Sequence, residues 1–269
     1  MSDQPGIAPA GEPTTFEACL QRVNPTSAAL ENLASRADET PVMMLNLLRF
    51  RPRGDATIYS MYGREAAPEV AKVGSFVGYF GMTLNDLDPG FGFDSSWDGL
   101  VLPVYHRRAS YVQLQQSSPY QLAIPYRSAG TQRRTLYVLS DGETFSADAG
   151  CICGMDESRE GLPDSVNSIT VLDLMRFKAA NGREAYRQYL QSAHALLQSV
   201  GGQVVLSAEA EVPVLSEDLW DHSVISQFPS LDALVELYSS DAWKTLSAQR
   251  SEALEASLSI AAKPAPLPA

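Results

Sequence analysis

The side chains best suited to chemistry in this chain of 269 residues lie in or next to apolar runs. Asn46 stands inside the run Val42–Phe50, Tyr59 and Tyr62 follow it, and His106 comes after a later apolar run. Histidine is the commonest general base near neutral pH, and a tyrosine hydroxyl can donate a proton inside an apolar pocket. We therefore predict His106, Asn46 and Tyr59 as catalytic residues.

Each candidate also has a structural interpretation, and the sequence leaves both open. A buried amide costs free energy unless its hydrogen bonds are met, so Asn46 either orients a ligand carbonyl or bonds to the protein backbone. Tyr59 and Tyr62, three residues apart, share one helix face, where they either pack in the core or donate a proton. His106 is either a general base or simply exposed at the end of a strand.

The residues predicted to contact a substrate lie at strand ends, on the same helix, or in a glycine-rich loop. The guanidinium of Arg49 is suited to clamping a carboxylate, or else it pairs with Asp98. The run Gly90–Phe93 is interpreted as a flap whose apolar inner surface includes Trp97. The predicted substrate-binding set is Arg49, Tyr62, Phe93, Trp97, Tyr105 and Arg127.

The chain contains its own sequence twice. Val42–Phe50 recurs as Ile169–Phe177, where Asp173 takes the place of Asn46 and is predicted to be a further catalytic group. Other matches in the same order are Tyr59 with Tyr186, Gly74 with Gly201, Trp97 with Trp220 and Arg127 with Arg250. Such a series indicates a duplicated domain. The first copy is the better candidate for an active site, because Pro229 replaces His106 in the second.

Metal and cofactor chemistry find little support in the sequence. The three histidines show no metal-ligand spacing, and Cys151-Ile152-Cys153 has no second Cys/His pair nearby. A haem site needs only one axial histidine, but neither His194 nor His106 lies in a supporting motif. We predict no metal and no cofactor, and we interpret the two cysteines as incidental thiols, with metal binding or redox chemistry as the alternatives.

Charge and hydropathy limit the partners. A formal net charge of −12 argues against nucleic acid and acidic membrane surfaces, which require a basic face. The apolar runs are all of strand length, so no membrane-spanning helix is expected. The first residues lack the basic and apolar regions of a signal peptide, which favours a cytoplasmic location.

The order of predicted elements defines the fold. After a tail and helical leader at 1–40, a β-α-β-β-α-β series occupies 41–140, a linker or flap 141–167, and a second series 168–260, followed by a C-terminal tail at 261–269. In the leader, Asn24 is predicted to cap a helix that begins at Pro25. The series predicts an α+β fold of two tandem ferredoxin-like units.

Each unit would leave one apolar sheet face uncovered. We therefore expect the two units to pack sheet to sheet within one chain, with ligand space between the sheets or between sheet and helices. Since this pairing is internal, a monomer is slightly favoured over a homodimer.

Several motifs resemble a known family. Leu45–Phe50 with the tyrosine pair, Trp97-Asp98, Ser117–Tyr120 and Arg127 are similar to the bacterial family called domain of unknown function 1330, well over 41–140 and more loosely over 168–260. That family belongs to the dimeric α/β-barrel superfamily, which includes antibiotic-biosynthesis monooxygenases, muconolactone-isomerase-like proteins and chlorite-dismutase-like haem proteins. The resemblance implies a small, mainly apolar or aromatic ligand, and cofactor-independent oxygenation, isomerisation or proton transfer.

Two other hypotheses remain. One is a non-catalytic module that binds a small molecule, and the other is a structural pseudo-dimer with a filled interior. An enzyme requires a titrating group in its pocket, which predicts that His106 or Asp173 lies inside a cavity.

Overall fold

The structure, a computed structural model, describes residues 16–36, 39–145, 149–155 and 167–266. The leader contains α1 (Phe16–Gln21) and α2 (Ser27–Ala34). The first half of the chain contains β1 (Val42–Phe50), α3 (Thr57–Lys72), β2 (Phe76–Thr83), a 3₁₀ turn (Pro89–Phe91), β3 (Gly99–Tyr105), α4 (Arg108–Gln116), α5 (Ser118–Gly130) and β4 (Thr131–Ser140). After a second 3₁₀ turn (Ile152–Gly154), the second half contains β5 (Ile169–Phe177), α6 (Gly182–Ser199), β6 (Gln203–Leu215), β7 (His222–Phe228), α7 (Leu231–Ser239), α8 (Asp241–Ala253) and β8 (Leu254–Pro264).

The strands form one closed antiparallel barrel in the order β1-β3-β2-β8-β5-β7-β6-β4. Each half contributes four consecutive positions, β4-β1-β3-β2 and β8-β5-β7-β6, so the central strands β1 and β5 hold equivalent places. Val42–Phe50 is apolar on both faces because one face meets the barrel interior and the other meets helices. The α+β class and the barrel are thus as expected from the sequence.

Two seams join the halves edge to edge. At one seam β4 pairs with β6, from Leu136 opposite Leu215 to Ser140 opposite Glu209. At the other, β2 pairs with β8, with Thr83 opposite Ala262. Closure leaves no free sheet edge, which removes the unpaired backbone groups that an edge strand would expose.

The interior of the barrel is packed with apolar side chains from both halves, including Met43, Leu45, Leu172 and Ile225. The space between the two sheets is therefore filled where these residues meet, and the expected ligand space does not lie there. Separate apolar clusters fill the layers between the strands and the helices of each half.

The helices α3 and α6 are each followed closely by a glycine, which is typical of a helix C-terminus. Gly74 and Gly201 follow them with φ of 69° and 73°, in the left-handed region that favours glycine. In the leader the predicted cap is wrong. Thr26, not Asn24, caps α2 by accepting a hydrogen bond from the backbone N–H of Ala29, since Asn24 is engaged with α5.

The predicted C-terminal tail at 261–269 is also wrong at its beginning, because β8 continues to Pro264 and forms the seam with β2. The local sequence around Lys263 does not indicate a strand. The segment forms one because it pairs with β2, which lies far away in the sequence. None of the helices in the described residues has the length and apolar character needed to cross a bilayer.

The connection between the halves crosses one end of the barrel. Ile152 is fully buried in the interior cluster, and Phe145 is buried against Phe177 and Tyr186 of the second half. Gly150 bridges to Leu206 of β6. In its described parts, the segment predicted as a linker or flap at 141–167 is therefore anchored by burial.

Candidate functional site

A cavity of about 400 Å³ lies in the first half, between α3 and the outer face of the sheet formed by β1, β2 and β3. This size is typical of a site for a small organic ligand. The lining residues are mainly apolar and aromatic: Met44, Asn46, Tyr59, Tyr62, Gly63, Ala66, Ala67, Val70, Ala71, Ser75, Phe76, Val77, Phe80, Val101, Pro103, Tyr105, Tyr111, Tyr120 and Arg134.

Strand and helix periodicity explain this wall. Alternation along β1 turns Met44 and Asn46 away from the barrel interior and toward the helices. Tyr59, Tyr62 and Ala66 lie at helical spacing on α3, so they face the same cavity. Tyr120 comes from α5, which packs alongside α3.

The polar centre of the cavity wall is a pair of tyrosines backed by a buried arginine. The hydroxyls of Tyr62 and Tyr120 lie 2.7 Å apart. Arg127 donates a hydrogen bond of 3.0 Å to the Tyr120 hydroxyl. The guanidinium of Arg127 is almost fully buried, and Asn24 of the leader accepts a second hydrogen bond from it at 2.7 Å. The leader therefore fixes the arginine behind the tyrosine pair.

These contacts give the Tyr120 phenol a lower pKa than the neighbouring phenols. Burial acts to raise the pKa of Tyr120, but the positive charges of Arg127 and Arg134 outweigh it and lower that pKa below its usual value of 10.0. Burial raises the pKa of Tyr59 and of Tyr111 to about 12. Tyr120 is thus the phenol of this cluster with the greatest tendency to ionise.

A second buried cation lies on the sheet side of the cavity. Arg134 is 6% exposed and its Nε donates a hydrogen bond of 2.9 Å to Asn46 Oδ1. The amide nitrogen of Asn46 donates to the carbonyl oxygens of Met44 at 2.8 Å and Val101 at 3.4 Å. Asn46 is therefore held by the protein and positions the guanidinium, which itself lines the cavity.

Two polar atoms of the cavity wall lack a partner. Ser75 Oγ and the Tyr111 hydroxyl are both buried, and neither makes a hydrogen bond of normal length and angle within the described part of the chain, although Arg134 lies close enough to Tyr111 to affect its pKa. Leaving buried polar groups unpaired costs free energy, which a ligand with polar groups of its own would recover.

The cavity brings together some of the predicted site residues. Asn46, Tyr59, Tyr62 and Tyr105 line it, and Arg127 lies directly behind two of the tyrosines. His106 does not. It is exposed beyond the end of β3, with its ring beside Gly74, because β3 ends at Tyr105 and the next residues turn outward into α4.

Three other predicted residues point away from the cavity. Arg49 and Trp97 fall on the barrel side, where Trp97 is buried in the interior cluster beneath the guanidinium of Arg133. Arg49 does not pair with Asp98, which accepts instead from the Phe50 N–H and Arg53. Phe93 packs on Tyr238 of α7 with ring centroids 4.9 Å apart, so the predicted flap meets the second half.

Asp173 occupies the place of Asn46 in the second half, but outside the cavity. Its carboxylate accepts a hydrogen bond of 2.9 Å from Arg250. The surrounding layer is filled by the aromatic rings of Tyr186, Tyr189 and Trp243. Asp173 therefore does not join the other predicted residues at this cavity, because its carboxylate is paired with Arg250 and lies in a layer of aromatic side chains.

The second half contains a separate buried polar group. Ser207 Oγ lies 2.8 Å from Nε2 of His222, which is fully buried. Nδ1 of the same ring lies 3.6 Å from Glu209, which forms an ion pair with Arg183. Burial lowers the pKa of His222 below 6.5. For Glu209, burial acts to raise the pKa, but His222 and Arg183 lower it to about 2.

Sequence reasoning missed Tyr111, Tyr120 and Arg134 as site residues. Tyr120 stood in one of the motifs that resembled a family, but its partner Tyr62 comes from another helix far away in the chain. Arg134 lies near the start of β4, where nothing in the local sequence marks it as a site residue. The signal that could have found it is an arginine at an outward position of a strand paired with the Asn46 strand.

Among the described residues, one group has ligand atoms close enough to hold a metal ion together: Asp141, Cys151 and Cys153, all exposed. It lies in the connection between the halves and contributes nothing to the cavity lining.

Comparison with known proteins supports the fold more than the chemistry. The family model Domain of unknown function (DUF1330) matches residues 175–263. The family is the one that the sequence resembles, but its match lies in the second half, whereas we expected the better resemblance in the first. A comparison with curated protein sequences found no match.

Two solved structures show similar barrels, and a third is similar to a smaller part of the chain. An anthrone oxidase-like protein is 13% identical with a TM-score of 0.56, and the match covers 86% of this chain and 93% of that one. A mutant chlorite dismutase from Candidatus Nitrospira defluvii is 11% identical with a TM-score of 0.51, covering 88% and 96%. A protein of unknown function from Rhodopseudomonas palustris is 26% identical with a TM-score of 0.40, covering 46% and 98%. The chain thus carries a DUF1330 match in its second half and has the fold of the dimeric α/β-barrel proteins.

Proposed function

We propose that the chain is an enzyme that removes a proton from a small aromatic carbon acid, a compound whose enol tautomer is a phenol, without a metal or organic cofactor. The observation that carries this proposal is the Tyr62–Tyr120 hydroxyl pair, 2.7 Å apart at the cavity wall and backed by Arg127. Proton removal is the first step shared by isomerisation and by oxygenation with molecular oxygen.

The charges around the cavity favour a substrate that becomes an anion. Arg127 and Arg134 are both buried, and neither forms an ion pair with a carboxylate within the described residues. A preorganised cation in a water-poor site stabilises negative charge that develops during a reaction. An enolate or phenolate formed in the cavity would therefore be stabilised without any movement of the protein.

The tyrosine pair supplies the proton acceptor. Because its pKa is lowered, Tyr120 has the larger fraction of phenolate among the phenols of the cluster. A phenolate at Tyr120 accepts the Tyr62 proton through their hydrogen bond, and Tyr62 in turn takes a proton from the substrate. Ser75 and Tyr111 offer unpaired polar atoms for the substrate oxygen.

The alternative is a module that binds the same ligand without turnover. It needs the cavity and the cations but not the ionisable pair. The similarity to an anthrone oxidase-like protein favours the enzyme only through the shared fold.

Two structural points complete the proposal. We infer that each half is a ferredoxin-like unit derived by tandem duplication, supported by the equal element order and strand order of the halves. We also propose that the protein works as a monomer, because its barrel is closed within one chain. A cytoplasmic location stays a prediction.

The test uses anthrone, a carbon acid of this kind. Oxidation by molecular oxygen converts anthrone into anthraquinone and water, so oxygen uptake and anthraquinone absorbance report turnover together. We expect the wild-type chain to accelerate this conversion and Tyr120→Phe to lose about 10²- to 10⁴-fold of the acceleration, the usual contribution of acid–base catalysis. Tyr126→Phe is the matched control, since Tyr126 is an exposed tyrosine on the same helix.

Two results would contradict the proposal. One is binding of anthraquinone to the wild-type chain with no acceleration for anthrone or for other carbon acids, which would establish the binding module. The other is equal rates for Tyr120→Phe and the control. Native mass spectrometry of the chain purified from its own host adds an independent check, because a retained small molecule identifies the ligand class.

A further inference from the structure

We propose that Cys151 and Cys153 form a reversible intrachain disulfide, so that the connection between β4 and β5 is a dithiol–disulfide site separate from the cavity. The two sulfurs are exposed and lie 2.6 Å apart. A disulfide bond is about 2.05 Å long, so the sulfurs need to approach only a little more for the bond to form. The inference does not depend on the proposed function.

The local structure holds the two thiols in this position. The carboxylate of Asp141 accepts a hydrogen bond of 2.6 Å from the backbone N–H of Ile152 and another of 2.9 Å from that of Cys153. Ile152, the residue between the cysteines, is fully buried in the barrel interior. With the middle residue anchored inward, the two flanking side chains project outward on the same side, where a redox partner can reach them.

The exchange is written with Cys151 as the first nucleophile and Cys153 as the resolving thiol. The Asp141 carboxylate accepts a hydrogen bond from the backbone N–H of Cys153, and its negative charge opposes a thiolate at that residue.

The reaction is written with glutathione disulfide as the oxidant. The Cys151 thiolate attacks one sulfur of glutathione disulfide and expels one glutathione thiolate, which leaves a mixed disulfide. Cys153 then loses its proton to solvent, attacks the Cys151 sulfur and expels the second glutathione. One protein disulfide and two reduced glutathione molecules result. Because the bond is exposed, an excess of reduced glutathione reverses the exchange.

The experiment uses the full-length chain with Cys19→Ser, which leaves Cys151 and Cys153 as its only thiols. Samples are equilibrated with reduced and oxidised glutathione at a series of ratios, quenched with acid, unfolded, alkylated with iodoacetamide and weighed by intact mass spectrometry. We expect two states, one with two alkyl groups and one with none that has lost the mass of two hydrogens. The ratio of the states should follow the glutathione ratio in both directions.

Two variants test the assigned roles. Cys153→Ser should stop at a mixed disulfide with one glutathione attached at residue 151. Asp141→Ala removes the acceptor for both backbone N–H groups, so the intrachain disulfide should form less readily and mixed disulfides should accumulate. Glu65→Ala, an exposed carboxylate on α3, is the control and should behave as the parent.

Three outcomes would overturn the proposal: two alkyl groups at every glutathione ratio, oxidation that yields only chain-to-chain dimers, or mixed disulfides in place of the intrachain bond. A parallel arm adds Zn²⁺ to the reduced chain. Tight binding of one Zn²⁺ together with no intrachain disulfide in the metal-free chain would assign Asp141, Cys151 and Cys153 to a metal site instead.

Discussion

Tyr62 and Tyr120 come from different helices, α3 and α5, and their hydroxyls meet at 2.7 Å on the wall of the cavity. The guanidinium of Arg127 lies 5.2 Å from the ring centroid of Tyr62 and also bonds to the Tyr120 hydroxyl. The two phenols do not ionise equally. When Tyr120 loses its proton, its phenolate accepts hydrogen bonds from both Arg127 and the Tyr62 hydroxyl, which stabilise the negative charge.

The first prediction follows from this inequality. Alkaline titration followed by tyrosinate absorbance should show one phenol that ionises below pH 10.0, ahead of the buried phenols whose pKa values are raised. Tyr120→Phe should abolish this early signal. Tyr111→Phe, which removes a phenol with a pKa of about 12, should leave it unchanged. An early signal that survives in Tyr120→Phe would show that another tyrosine is the acidic one.

The second prediction concerns the buried pair of Asn46 and Arg134. Asn46→Ala removes the side-chain acceptor of a guanidinium that is only 6% exposed, so the free energy of unfolding should fall by about 2 to 4 kcal/mol. Asn46→Asp should lose less, because a carboxylate still accepts from the arginine, as Asp173 does from Arg250. Urea unfolding measures both variants, and equal losses would mean that the acceptor role is unimportant.

The third prediction is a pH dependence of stability. The pKa of His222 is lowered by burial, so the unfolded chain takes up its proton at a higher pH than the folded chain does. Stability should therefore fall as pH drops through 6.5, the ordinary pKa of histidine, with a slope of at most about 1.4 kcal/mol per pH unit for this one group.

The measurement is urea unfolding between about pH 5 and pH 7.5, compared for the wild type and His222→Gln. The variant should show a shallower slope, and His106→Gln, which changes an exposed ring, should keep the wild-type slope. Parallel curves for wild type and His222→Gln would refute the assignment. The stabilisation from the Glu209 carboxylate should be lost at lower pH, as the pH falls from about 4.5 toward about 2.

The fourth prediction tests the β2–β8 seam. A chain ending at Ala261 loses the residues that pair with Gly81, Met82 and Thr83, and it opens the barrel there. We expect a loss of at least about 2 kcal/mol, because each backbone hydrogen bond contributes about 0.5 to 1.5 kcal/mol. A chain ending at Pro266 keeps the seam and should match the wild type in thermal unfolding. Equal melting temperatures for the two truncated chains would show that closure adds no stability.

Much of the fold follows from local patterns. The apolar run at Val42–Phe50, the tyrosine spacing on α3 and the glycine at the end of that helix each predict the element observed. The two seams could not be predicted from local patterns, because the strands that form them pair with partners in the other half. β6 runs on to Leu215 through Pro213 and two glutamates, a composition that argues against a strand until its partner β4 is known.

The site residues also differ in whether local sequence patterns could predict them. Asn46, Tyr59, Tyr62 and Tyr105 could be predicted because each lies on an outward or helix-facing position of an element with clear periodicity. His106 failed because it lies one position beyond β3, where the direction of the side chain depends on the turn that follows. Arg134 and Tyr120 failed for a different reason, since their importance lies in long-range contacts with Asn46 and Tyr62.

The two seams have a further consequence when the barrel is considered as an assembly. In a barrel made from two separate chains, closure depends on protein concentration, and symmetry gives both sites the same residues. Here the connection holds the second half at a high effective concentration near the first, so dilution does not open the barrel. Within a single chain the two halves need not carry the same residues, and here one half has a cavity where the other is filled with aromatic rings.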